Sequence, residues 1–354
     1  MPIAAGTLER IDTKRITDEL ARLFDAHENG ILSPVGLITC LLLAHVGSSG
    51  STAQTLTALL GCSSSDAAAA YAAIESDLEG SDVHHAGACW LRPPLTPNPT
   101  WRAALPTVEV GGLKTRTELD AWVSERTGGL IREFPSSVDD AALVLATVLA
   151  LVATWEQELF KPSDTVPAAF HSGRGDVQVP MMFTTKPARA QQHGDVTSVD
   201  LALTGGLVVR LGIGEATAPP PSVISAVLGA GPPLASPDTP IHVHVPRLAL
   251  LSKYDSALTE LCRTNLGLEP LFAPGAMSHM TERRDPLNLY KVAQAATLSM
   301  DEHGVKAAAV TGGMVLMSMA LRPKEPIVIR FDRPFAIALL SGGLPLFVGW
   351  VARP

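Results

Sequence analysis

Cysteine is scarce in this 354-residue chain, confined to Cys40, Cys62, Cys89 and Cys262. No two of them form a C-x-x-C pair, so nothing points to a disulfide scaffold or a zinc site. Cys40 lies in an apolar helical pattern and reads as plain core. Charge is sparse too, at 18% of residues, with a net charge of −8 and no dense Lys/Arg stripe. That argues against nucleic acid or heparin as a partner. The segment from Met1 to Arg15 has no basic region followed by an apolar run. A cleavable secretion signal is therefore not expected, which leaves the cytoplasm or export by another route open. The longest apolar run, Ala141 to Trp155, is interrupted only by Thr147 and Thr154 and is bounded by Asp139-Asp140 and Glu156. It is short for a membrane span and reads better as a long strand covered on both faces. No G-x-S-x-G or P-loop signature, internal repeat or dividing linker is seen.

What is present is a core-forming composition, 46% hydrophobic, which allows one large domain or two ordinary ones and excludes global disorder. Arg15 to His27 has apolar residues at a helical period. Ser33-Pro34 is an N-cap followed by proline at the first helical position, and Val35 to Val46 follows until Gly47. Ser51–Leu60, Ser65–Leu78 and Glu118–Thr127 read as further helices, and Leu91–Thr100 as a proline-rich connection. Behind them the chain turns strand-like: Asp176–Phe183, Val199–Leu211, and Val223–Leu228 after a turn at Pro219-Pro220-Pro221. Ile241–Leu251 alternates, Tyr254–Leu266 is helical, and the chain closes with Leu344 to Val351. Helices in front and strands behind give an α+β fold.

Met300 to Leu321 stands apart. Val305, Ala307, Ala309, Thr311, Gly313, Val315 and Met317 alternate along it, uncharged and mostly small. Lys306 carries the one charge of the interleaved set. Period-two alternation puts each set on one face of a strand, yet the glycines and consecutive alanines are poor strand formers. Such a segment is fit to become a strand and weakly inclined to be one. Without its neighbours it would read as an Ala/Gly-rich surface loop.

The neighbours matter. Ile31-Leu32-Ser33-Pro34-Val35, Gly50-Ser51-Thr52-Ala53, Val144 to Trp155, Phe170-His171, Val179-Pro180-Met181-Met182-Phe183, Val245-Pro246-Arg247-Leu248 with Tyr254-Asp255, Asp301-Glu302-x-Gly304, Pro334-Phe335 and Pro345 to Gly349 occur in this order. The ordered set resembles the serpin family, from about Ile16 onward. The resemblance implies one serpin domain over residues 1–354, with a mixed three-sheet core, about eight or nine helices and an exposed reactive-centre loop at about 302–324. It implies no enzyme and no cofactor or metal. The expected partner is a serine protease held as a covalent acyl-enzyme complex, with no nucleic acid and no membrane. The expected state is a monomer, with loop–sheet polymers open to it.

The loop hinge matches Glu302, Gly304, Val305, Lys306, Ala307, Ala308 and Ala309. The family's sheet-opening region matches Ser33, Thr147, Gln294, Trp155 and Arg247. There the family commonly has serine, asparagine and histidine, and this chain has Gly36 for one serine, Thr147 and Gln294. Arg247 and Glu302 are expected to lie close together near Trp155. The residue before the cut bond, sixteen positions beyond Glu302, is Ser318, followed by Met319. One position earlier is Met317-Ser318, which the chemistry favours because methionine fills an apolar specificity pocket. Arg322 precedes Pro323, a poorly cleaved amide, so the implied target is chymotrypsin-, elastase- or subtilisin-like. The alternative is a non-inhibitory carrier, chaperone or storage member whose loop is only a substrate. His242 and His244 share a strand face, where ordinary packing is the commoner explanation than a metal. His84-His85 reads as a solvated loop pair, and Glu282 with Arg283 and Arg284 as a solvated surface cluster.

Overall fold

The computed structural model describes residues 11–79, 83–305 and 325–354. In chain order the front half holds α1 (Thr13–Ala21), β1 (Gly30–Leu32), α2 (Pro34–Val46), α3 (Gly50–Leu60), α4 (Ala67–Leu78), β2 (Val83–Leu91), α5 (Pro99–Ala104), β3 (Glu109–Gly112), α6 (Arg116–Arg126), β4 (Leu143–Leu151) and β5 (Ala153–Thr154). Then come β6 (Val166–Ser172), β7 (Gly175–Thr184), β8 (Arg189–His193), β9 (Val196–Ala202), β10 (Leu207–Ile213), α7 (Pro220–Leu228), β11 (Ile241–Pro246), β12 (Leu248–Tyr254) and α8 (Ser256–Thr264). The chain closes with β13 (Gln294–Asp301), β14 (Gly304–Val305), β15 (Ile327–Arg330), β16 (Phe335–Ser341) and β17 (Leu344–Val351). The α+β class is as expected, with eight α-helices among the described residues.

The chain forms two compact units. The first comprises the described residues up to Leu23, with Leu32–Ala150 and Lys253–Ala296. Its central helix α2 is apolar almost all round and buried along nearly its whole length, as such a helix must be. Ser33 caps it, accepting from the Gly36 amide at 2.9 Å, and Pro34 occupies the first turn. Gly47 ends it where a Cβ would collide with Met280. A three-stranded sheet, β3-β2-β4, pairs β2 and β3 in parallel. Against it packs α6, started by a capping box of Thr115 and Glu118. Trp90 and Trp122 meet edge to face at 4.9 Å within the core they share with Leu119, Phe134 and Val144. Each such side chain contributes about 2–3 kcal/mol by leaving water.

The second unit comprises Phe24–Ile31, Leu151–Ser252 and the described residues from Thr297 on. A six-stranded sheet runs β1-β17-β16-β10-β9-β8. Helix α7 lies on it, close enough that a Cβ at Gly212 of β10 would strike Val227. Arg210 of β10 faces Asp200 of β9 across the ladder, bonded at 2.6 and 2.9 Å, and its third contact, 3.1 Å to the Val227 carbonyl, pins the end of α7. Two four-stranded sheets follow the orders β15-β11-β7-β6 and β12-β13-β14-β5.

Several elements differ from the sequence expectation. The run Ala141–Trp155 is two strands, β4 and β5, interrupted at the exposed Val152, and they lie in different sheets. The described residues therefore form four sheets where three were expected. Val223–Leu228 is helix, not strand. Pro219 is the N-cap of α7 and Pro220 and Pro221 its first residues, and Val223, Ile224 and Val227 recur at helical spacing on the buried side. Val199–Leu211 is a hairpin, turned by Gly205 at φ 70. Ile241–Leu251 divides at Arg247 into β11 and β12, of different sheets. The Leu91–Thr100 connection contains the start of α5, capped by Asn98. His84-His85 is no loop pair: both lie in β2, and the His85 side chain is buried.

Candidate functional site

The four-stranded sheet β12-β13-β14-β5 ends where β13 turns back on itself. The Asp301 side chain accepts from the His303 amide at 2.8 Å and tightens that turn. Between them Glu302 points inward. Its carboxylate receives the Arg247 fork three ways: Nε at 3.0 and 2.9 Å, and Nη2 at 2.7 Å. The Thr165 hydroxyl donates a further bond. The Glu302 side chain is 3% exposed and that of Arg247 47%. Burial alone would raise the Glu302 carboxyl, but the bonds from Arg247 and Thr165 outweigh it and hold the group below its usual range. Arg247 is shifted up by its bonds to Glu302.

Trp155 closes the corner. Its indole N–H donates to the Asp301 carbonyl at 3.1 Å, its amide to the His303 carbonyl at 3.4 Å, and its ring meets Phe160 edge to face at 5.4 Å. Next along the chain, Gly304 and Val305 form β14, a strand seated between two others. Met300 pairs with Val305 and Asp301 with Gly304 on one side; Gly304 pairs with Thr154 and Val305 with Ala153 on the other. Gly304 sits at φ +146, and a Cβ there would collide with the Ala153 carbonyl oxygen. Only glycine fits. Val305 is 2% exposed.

Ser33, Thr147 and Gln294 come together elsewhere, in the first unit. The Gln294 carboxamide grips one peptide from both sides: its Oε1 accepts from the Ser33 amide at 2.6 Å, and its Nε2 donates to the Ser33 carbonyl at 2.9 Å. The Thr147 hydroxyl donates to the Gly36 carbonyl at 2.7 Å. The first turn of α2 is thus tied to the first residue of β13 and to the middle of β4. The departure at Gly36 has a physical reason, since a Cβ there would lie 3.0 Å from Gln294 Nε2 and 3.1 Å from Ser33 Oγ. Glycine leaves the room that a carboxamide at 294 needs. Of the residues expected in the sheet-opening region, Ser33, Thr147 and Gln294 meet within the first unit, while in the second Trp155 and Arg247 meet the turn that carries the hinge residue Glu302. Sequence reasoning missed Thr165, a lone threonine outside any motif.

Lys306, Ala307, Ala308 and Ala309 of the hinge, and Met317, Ser318 and Met319 around the cut bond, lie outside the described residues. No group of three or more metal-ligating side chains assembles among the described residues. His242 and His244 pack against Phe183. The four cysteines are free; burial raises the thiols of Cys40, Cys89 and Cys262 to about 12.

A family model described as serpin (serine protease inhibitor) matches residues 14–354. Alpha-1-antitrypsin 1-1 of Mus musculus is 30% identical over 255 residues, which are 67% of this chain and 57% of the relative. The chain thus spans little more than half the length of that curated relative. An uncharacterized serpin-like protein of Thermococcus kodakarensis is 23% identical over 93% of this chain and 81% of its own length. The solved structure of Serpin48, described as a highly specific serpin in the insect Tenebrio molitor, superposes with a TM-score of 0.82 at 20% identity, covering 100% of both chains.

Proposed function

The chain belongs to the serpin family, and from that premise we propose that it acts as one serpin domain, a suicide-substrate inhibitor of a serine protease of apolar specificity. Serpins are in general inhibitors of proteases and not catalysts, so the reacting serine belongs to the partner. It attacks the carbonyl carbon of Met317 or Ser318; the bond to the next nitrogen breaks, and the new amine leaves with the proton. What remains is an ester between the loop and the protease. If the freed loop enters the sheet before water reaches that ester, the enzyme is carried along and its site distorted.

The observation that carries this reading is β14. Two residues of the loop hinge, Gly304 and Val305, are already a strand between β13 and β5, with Val305 buried. Lys306, Ala307, Ala308 and Ala309 follow with small or solvent-tolerant side chains, suited to extending that strand. The Glu302–Arg247–Thr165 clamp supports the same reading, because it fixes the chain two residues ahead of Gly304, where that strand starts.

The test is incubation with chymotrypsin-, elastase- and subtilisin-like enzymes, followed by denaturing gels and mass spectrometry of the released peptide. A complex that survives boiling in detergent, with a fragment beginning at Ser318 or Met319, is the expected result. If every protease only cuts the loop and stays active, the inhibitory reading fails and a carrier, chaperone or storage role takes its place.

A further inference from the structure

The sheet β15-β11-β7-β6 carries a second patch that the loop chemistry does not use. His242 lies beside Val328, and His244 beside Arg330, in the parallel β11–β15 pair. His244 also faces Phe183 across the β11–β7 pair. The two-residue period puts Phe183, His242, His244, Val328 and Arg330 on one face. The other face at this end, with Val243, Val245, Ile329 and Thr184, is buried. The Phe183 ring stands edge-on to His242 at 5.4 Å and tilted to His244 at 5.0 Å, so its orientation is fixed from both sides. These three rings are half-buried, while Val328 is 47% exposed. The Arg330 side chain is exposed and makes no hydrogen bond or ion pair among the described residues. The nearby carboxylate of Asp332 is engaged by Arg333 at 3.3 Å.

A rigid aromatic ring, an exposed apolar side chain and an arginine with its fork free make the composition of an interface centre, where aromatic residues and arginine are enriched. The place of the patch names the partner. Strand β15 begins at Ile327, close behind the proposed cut bond, and Val328 is ten residues beyond Ser318. Ten residues span at most about 35 Å, and a globular protease is on the order of 40 Å across. An enzyme holding that bond in its cleft therefore has its rim within reach of this face. The charge names the chemistry: a free guanidinium beside two imidazoles, on a chain of net charge −8, selects a carboxylate.

We propose that this face is a docking site, separate from the loop, for the rim of the attacking protease, with an acidic side chain at Arg330 and an apolar one over Val328 and Phe183. It rests on the reading that a protease attacks the loop, and not on whether that protease is trapped.

The test uses the full-length protein, Arg330→Glu and Val328→Asp variants, and the protease of the panel that attacks fastest. Both substitutions are at exposed positions, and unchanged melting temperatures check the fold. The readout is the second-order rate of loop attack, whether it ends in a complex or in cleavage. The expected result is a drop of about tenfold or more in each variant, steeper at low salt for Arg330→Glu. A synthetic peptide of residues 306–324 is expected to be cut more slowly than the intact protein. If a variant melts early, Arg330→Gln replaces it, with a drop of about threefold or more expected. Rates within twofold of the parent protein overturn the docking site. Cleavage without trapping sinks only the inhibitory reading, because the rate of attack still reports on this face. A loop cut by no protease overturns both.

Discussion

Glu302 is a buried side chain that depends on its neighbours for its charge. Its carboxylate is buried while its main partner, Arg247, is half-exposed, so the pair is worth more than a surface bridge and less than a sealed one. Arg247→Ala should destabilise the fold by about 1–3 kcal/mol, read as a lower urea midpoint, with Arg247→Lys recovering part of the loss. The folded carboxyl titrates below its ordinary 4.5, so the unfolded chain takes up the proton first as pH falls. The contribution is therefore complete above about pH 4.5 and disappears as pH drops through the folded value. Below pH 4.5 the parent protein should lose stability more steeply than Arg247→Ala. His45 acts in a higher window. It is fully buried, donating from Nε2 to the Cys62 carbonyl at 3.0 Å, with Ser48 Oγ at 3.0 Å from Nδ1. Burial lowers its pKa from 6.5. The unfolded state then protonates first, and stability falls as pH drops below about 6.5. His45→Gln should flatten that slope in melts recorded across the window; an unchanged slope would assign it to other groups.

Helices and strands show where the sequence was legible. α2 was readable because Ser33-Pro34 carries its own start signal; α6 was legible only from Glu118 on, and the capping box of Thr115 and Glu118 that starts it was missed. α7 was misread because β-branched residues suggest a strand and three prolines suggest a turn. What made it a helix is its packing on β10, through the opening left by Gly212, and the Arg210 contact that the same strand makes to its last turn. The Arg247–Glu302 and Gln294–Ser33 contacts join residues far apart in the chain, and local pattern says nothing of them; only the ordered motifs of a family brought those residues into view. Thr165 had no such motif. The Gln294 grip gives a prediction with a decided sign. In an isolated helix Gly→Ala gains up to about 1 kcal/mol. At Gly36 the added methyl crowds the carboxamide, and overpacking costs about 1–3 kcal/mol. Gly36→Ala should thus destabilise, and in Gln294→Ala the same change should do far less harm. A double-mutant cycle in urea checks this, and additive effects would refute the coupling.

For the whole chain, the proposed loop insertion has a thermal signature. Cleavage between 306 and 324 should raise the melting temperature by about 10 °C or more, since a new central strand adds ladder bonds and buried apolar surface. Val305→Arg places a charge on a side chain that is buried in β14. That variant should still be cut, but it should neither gain stability nor hold a protease. Unchanged melting after clean cleavage of the parent protein would falsify insertion.

The distribution of sulfur and indole has one more consequence. Cys40, Cys62, Cys89 and Cys262 all belong to the first unit, whereas Trp155 and Trp350 belong to the second. Alkylation requires thiolate, and three of these thiols titrate near 12. At neutral pH, labelling must therefore wait for the first unit to open. The chain carries its own two-channel clock: alkylation counts openings of one unit, and the emission of a variant retaining only Trp155 and Trp350 reports on the other. Matched time courses under mild urea would mark a single cooperative opening, and a lag between them would order the two events.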